Sequence, residues 1–174
     1  LILLLILCPV LFSLSLSSIV KASGSTIYIR ADGSVDPPTA PIQRDGNVYT
    51  LTGDISDQIE IQRNNMTLNG AGYAVQETSI IGSGRGIYLW NINNVTIKNL
   101  EIIGFQYGIY LAQSHDIHIS QNNITNNGVV GGGGSGIYIY SGSSNNVLAG
   151  NKITNNWGVI WLYYSSNNTL TGNL

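Results

Sequence analysis

The sequence predicts an all-β protein, a right-handed parallel β-helix wound as a single-stranded solenoid of about 22-residue rungs with an N-terminal cap. Three observations carry the prediction. The block Gly86-Ile-Tyr-Leu-Trp90 returns as Gly108-Ile-Tyr-Leu-Ala112, Gly136-Ile-Tyr-Ile-Tyr140 and, more loosely, Gly158-Val-Ile-Trp-Leu162. An Asn-rich block follows each copy. The apolar segments between bends are three to five residues long and alternate in character, which suits strands and is too short for helices.

The chain opens on the apolar run Leu1 to Phe12, and Val20-Lys21-Ala22 supplies small residues for cleavage. Residues 1–22 therefore read as a secretion signal whose start is truncated, because the chain begins on Leu1 with no basic segment before the run. Ser13, Ser15, Ser17 and Ser18 break the run short of the roughly 20 apolar residues a membrane span needs. The mature chain is expected to lie outside the cytoplasm with no span. Its one cysteine, Cys8, falls inside the signal, so neither disulfides nor thiolate metal sites are expected.

Residues 23–62 read as the N-terminal β cap that a solenoid needs over its open core. Thr26-Ile-Tyr-Ile29 and Val48-Tyr-Thr-Leu51 look like strands, with the turn-rich Asp36-Pro-Pro-Thr-Ala-Pro41 between them.

Residues 63–174 hold the rungs. The Asn-rich blocks are Asn64-Asn-Met-Thr-Leu68, Asn93-Asn-Val-Thr-Ile97, His115-Asp-Ile-His-Ile119, Asn145-Asn-Val-Leu-Ala149 and Asn167-Asn-Thr-Leu-Thr171. A third block is Leu100-Glu-Ile102, Asn123-Ile-Thr125 and Lys152-Ile-Thr154. One rung is lengthened by Val129-Val-Gly-Gly-Gly-Gly134. Stacking at about 4.8 Å should place Ile87, Ile109, Ile137 and Val159 in one interior ladder. Asn99, Asn122, Asn151 and Asn173 are expected to stack too, since an amide carries both donor and acceptor. The chain stops at Leu174 midway through a rung, so it is expected to continue, and the exposed C-terminal rung would otherwise associate.

Composition narrows the function. Charged residues make up 9% of the chain and the formal net charge is −2. With 43% hydrophobic residues this is not a disordered chain, and no basic patch exists for nucleic acid.

Gly136-Ile-Tyr-Ile-Tyr140, Ser143-Ser-Asn-Asn-Val147, Gly150-Asn-Lys-Ile-Thr-Asn-Asn156 and Ser165-Ser-Asn-Asn-Thr-Leu-Thr-Gly-Asn173 resemble the carbohydrate-binding and sugar-hydrolase group of β-helix repeats. They resemble NosD-type periplasmic copper-binding proteins in particular. Ile27-Tyr-Ile-Arg-Ala-Asp-Gly-Ser-Val35 and Ala40-Pro-Ile-Gln-Arg-Asp-Gly46 look like the leader before such repeats in archaeal surface proteins. The resemblance covers nearly all of residues 25–174 and implies fold more than activity, because one β-helix scaffold hosts lyases, hydrolases, epimerases, adhesins and accessory proteins. Copper is the cofactor it implies.

The candidate sites follow from residue type. Tyr88, Tyr110 and Tyr138 share one repeat position just after the Gly-Ile step, with Trp90 and Tyr140 two residues along. If Ile points inward these rings point outward. Such a ridge suits the apolar faces of a polysaccharide or cell-surface glycan; cross-strand stacking that only stabilises the sheet is the alternative. His118 and Asp116 could supply half of a metal site, and Lys98 joins them as a possible acid–base cluster, or all three are scattered surface charge. Asn65, Asn94, Asn123 and Asn167 begin glycosylation acceptor patterns. The leading expectation is a non-catalytic, glycan-interacting surface β-helix. A copper-site accessory protein and a polysaccharide lyase, hydrolase or epimerase are the alternatives.

Overall fold

The computed structural model describes residues 26–78, 81–128 and 132–174. The proposed signal, Cys8 and Val129, Val130 and Gly131 of the insertion lie outside the described residues. Every element among the described residues is a strand, and three sheets run side by side along the stack.

The first sheet holds β1 (Ile27–Ile29), β2 (Val35–Asp36), β5 (Ile59–Ile61), β8 (Ser83–Trp90), β11 (Phe105–Ala112), β14 (Ser135–Tyr140) and β17 (Ile160–Tyr163). Its order is β17-β14-β11-β8-β5-β1-β2. The second holds β3 (Ile42–Asp45), β4 (Val48–Leu51), β6 (Met66–Asn69), β9 (Val95–Lys98), β12 (His118–Ser120), β15 (Val147–Ala149) and β18 (Thr169–Thr171), in the order β18-β15-β12-β9-β6-β4-β3. The third, β16-β13-β10-β7, is built from β7 (Ala74–Gln76), β10 (Glu101–Ile103), β13 (Asn123–Thr125) and β16 (Lys152–Thr154). Rung-to-rung pairings are parallel. Among the described residues only β2 and β3 pair antiparallel, each on the N-terminal edge of a seven-stranded sheet. Chain that returns to the same sheet after one turn, always beside its previous strand, makes a parallel β-helix.

Period-two alternation decides what goes inside. Ile59, Ile87, Ile109 and Ile137 are fully buried and in register, and Ile61, Leu89, Leu111 and Ile139 form a second column beside them. Leu68, Ile97, Ile119 and Leu148 line the second sheet, and Val75, Ile102, Ile124 and Ile153 the third. Each such side chain contributes about 1.5–3 kcal/mol relative to exposure. The bends need left-handed backbone. Asn65, Asn94, Asp116, Asn145 and Asn167 stack as one column with φ between 53° and 58°, a conformation that Asn and Asp tolerate better than other side chains.

The interior ladder does not continue to Val159. Ile137 pairs with Ile160, and Val159 is 55% exposed. The cause is one extra residue in the bend after β14. Ala112-Gln113-Ser114 becomes Tyr140-Ser141-Gly142-Ser143, with Gly142 at φ 81°. The Asn-rich block stands one residue away from the expected alignment as well. His118 pairs with Val147, so Asn145 aligns with Asp116 and Asn146 takes the interior place of Ile117. In the third block Glu101 rather than Leu100 pairs with Asn123.

The amide ladder is likewise displaced at its start. Asn122 Nδ2 donates to Asn151 Oδ1 at 2.9 Å, and Asn151 Nδ2 to Asn173 Oδ1 at 2.9 Å. Asn99 stands one position earlier, at φ 55°, and donates to Asn69 Oδ1 instead. Buried Leu100 occupies the ladder position, its N–H bonded to Asn122 Oδ1. Two more ladders, Asn127–Asn156 and Asn146–Asn168, repeat the pattern.

Candidate functional site

The outer face of the first sheet carries a two-column array of rings. Parallel register puts Tyr88, Tyr110, Tyr138 and Trp161 in one column. Trp90, Ala112, Tyr140 and Tyr163 form the other. The alternation that buries Ile87, Leu89, Ile109 and Leu111 forces these side chains outward. Gly86 and Gly108 stand within their strands, two residues before the ring positions, for a steric reason: a Cβ on either would lie 2.6 Å from the carbonyl oxygen of the next rung.

Apart from Trp90, neighbouring rings touch. Tyr88 and Tyr110 meet edge to face at 5.7 Å between centroids, Tyr110 and Tyr138 at 5.2 Å, and Tyr138 and Trp161 at 6.0 Å. Tyr140 stacks within 16° of both Tyr138 and Tyr163. Tyr107 packs into the side of the array against Tyr110 and Tyr138. At the N-terminal end the Arg85 guanidinium lies 4.6 Å from the centroids of both Tyr88 and Tyr110, a double cation–π contact. Burial pushes the Tyr110 phenol above its ordinary pKa, partly offset by Arg85, and burial does the same to Tyr138. The Tyr163 phenol is raised chiefly by its hydrogen bond with Tyr164.

Trp90 differs from the tyrosines. It is 61% exposed, and its Nε1–H donates to Gln113 Oε1 on the next rung at 2.8 Å. Its register partner Ala112 points outward yet is only 8% exposed.

All five ring positions expected from the sequence, Tyr88, Trp90, Tyr110, Tyr138 and Tyr140, thus lie on one face. The sequence reading missed Trp161 and Tyr163, because anchoring on Gly158 misplaces the last rung by one residue. Counting back from the Asn-Asn pairs would have located the extra residue at Gly142. Arg85, Tyr107 and Gln113 carry no repeat signal, since their counterparts differ in every rung.

The other candidates form no such array, although Lys98 and His118 lie one residue pair apart on the outer face of neighbouring strands. His118 is exposed on β12, beside Thr96 and Val147. Asp116 is exposed at a bend with φ 57°, so the simple alternation that put it on the face of His118 does not hold there. Lys98 pairs with Ser120. His115 Nδ1 is 2.8 Å from Ser144 Oγ. Among the described residues no three His, Cys, Asp or Glu side chains group as a metal site. The donors present therefore do not fit a copper ion, which takes His, Met or Cys ligands. Of the glycosylation patterns, Asn65, Asn94 and Asn167 are exposed, whereas Asn123 is half-buried and donates to Glu101. Among the described residues no helix is long and apolar enough to cross a membrane.

Comparison with curated proteins and with solved structures finds no match. Residues 14–174 match the family described as a right handed beta helix region. That span and the three stacked parallel sheets agree, and the chain belongs to the right-handed β-helix region family.

Proposed function

We propose that this chain is a non-catalytic β-helix of the cell exterior that binds a polysaccharide or cell-surface glycan along the outer face of its first sheet. The observation that carries the reading is the array itself: seven aromatic rings in two columns on one face, spaced by the rung repeat. Aromatic rings present apolar area with a polar tip, the chemistry a sugar ring needs. Rigid strands hold them in place before any ligand arrives, which lowers the entropic cost of binding. The likeness of the rungs to the carbohydrate-binding and sugar-hydrolase group supports the same reading, and the apolar run at Leu1 to Phe12 supports export. The NosD-type likeness points to copper, but the His118 and Asp116 positions give that reading no support.

A glycan array probed with the wild-type chain and with a Tyr110→Ala/Tyr138→Ala double variant tests the proposal. Retention of at least one glycan by the wild type, lost in the variant at unchanged circular dichroism, is the expected result. Equal retention by both, or none by the wild type, overturns it.

A further inference from the structure

We infer that the array reads a neutral, ribbon-like polymer of all-equatorial pyranoses, and that Trp90, held flat by Gln113, is its principal stacking platform. The inference rests on the glycan-binding reading and narrows it.

The tyrosines spend much of their ring surface on one another. Tyr110 touches Tyr88, Tyr107 and Tyr138 and lies under Arg85. Trp90 makes no ring contact with a neighbour among the described residues, so its indole face is open to a ligand. The indole is also oriented. Its N–H reaches forward one rung to Gln113, and the alanine between them is covered although it points outward. An indole laid across Ala112 accounts for both facts. The register explains why alanine stands there: a ring at 112, like those at Tyr140 and Tyr163, would lift the indole off the sheet. Gln113 is thus a positioning residue, acting through Trp90.

The ligand class follows from charge and shape. From Tyr88 to Tyr163 the two columns hold no charged side chain. Glu60, paired with Tyr88 in register, and Arg85, over Tyr88 and Tyr110, carry the charge at the N-terminal end of the face. Past Arg85 a polyanion would meet no cation along these columns, whereas a neutral sugar loses nothing. An all-equatorial pyranose directs its axial C–H bonds at both faces, and β-linked units of that kind form an extended ribbon. Such a ribbon can lie flat on a sheet, and a coiled α-linked chain cannot.

Titration with cellopentaose, maltopentaose and a galacturonic acid pentamer, by calorimetry at low and high salt, tests both parts. Cellopentaose is expected to bind with salt-independent affinity and the other two at least about tenfold more weakly. Trp90→Ala should weaken cellopentaose binding by about tenfold or more. Gln113→Ala should weaken it less, and Gln113→Glu, which keeps the acceptor, should restore it. The thermal midpoint of each variant separates lost binding from lost fold. Tighter, salt-sensitive binding of the acidic pentamer, or tighter binding of maltopentaose, overturns the ligand class while glycan binding itself survives. Undiminished binding by Trp90→Ala, or no rescue by Gln113→Glu, overturns the platform. Failure of all three probes, with the array still retaining some other glycan, overturns this inference alone. Failure of the array as well overturns the parent reading.

Discussion

Two kinds of ladder climb the later rungs, one of amides at the bends and one of rings on the first sheet. Both repeat a residue type from rung to rung. The amides use up their hydrogen-bonding capacity internally: Asn151 accepts from the backbone and side chain of Asn122 and donates to Ile119 O and Asn173 Oδ1. The rings touch their neighbours but keep edges and, at Trp90, a face toward solvent. Repetition by itself therefore does not mark function. The surplus left after neighbours are satisfied does.

The largest effect should come from breaking an amide ladder in its middle. Asn151→Ala leaves the Asn122 N–H and Nδ2 without their Asn151 acceptor in a buried place, and should cost about 2–6 kcal/mol at about 1–3 per orphaned group. Urea denaturation followed by circular dichroism measures it. A loss below about 1 kcal/mol would show that water replaces the amide.

The rings should instead reveal themselves at alkaline pH. Folded-state pKa values of Tyr110 and Tyr138 are raised by burial above the ordinary 10.0. Their contribution to stability is complete below that unfolded value and is lost as pH rises through the raised folded values. Wild-type stability should fall above about pH 10, and Tyr110→Phe/Tyr138→Phe should flatten that decline. Thermal midpoints between neutral pH and about pH 11 decide it; identical slopes for the two proteins would mean the phenols ionise freely in the fold.

The smallest effect belongs to the Asn that only looks like a ladder member. Asn99 is half-exposed with positive φ, which glycine adopts at no steric cost. Asn99→Gly loses the bond to Asn69 but relieves the backbone, and should change stability by no more than about 0.5 kcal/mol. A loss comparable to that of Asn151→Ala would erase the distinction between the two positions.

Much of this was legible in the residues, and the failures are specific. Ile87, Ile109 and Ile137 were placed inside, and their tyrosine neighbours outside, because strand alternation leaves no other choice. Val159 was misplaced because a bend can absorb one residue without disturbing the sheets on either side, and Asn99 because an unbroken 22-residue offset sets it opposite Gln121 and leaves Leu100 at the ladder position. Gly142 in a left-handed bend is invisible to a pattern anchored on Gly-Ile-Tyr. The pin on Trp90 was illegible for another reason: Gln113 belongs to the next rung, 23 residues away, and joins it only through stacking.

The amide ladders have a direction. In each, the later rung supplies the carbonyl oxygen, and the earlier rung donates both its backbone N–H and its side-chain nitrogen to it. A rung is therefore incomplete until its successor docks, and what it presents while waiting is a pair of donors. Each of these ladders therefore has an acceptor end toward the N-terminus and a donor end toward the C-terminus. The earlier bends run the other way, Asn94 and Asn99 donating back to Asn65 and Asn69, so the polarity of the amide bonds reverses along the stack.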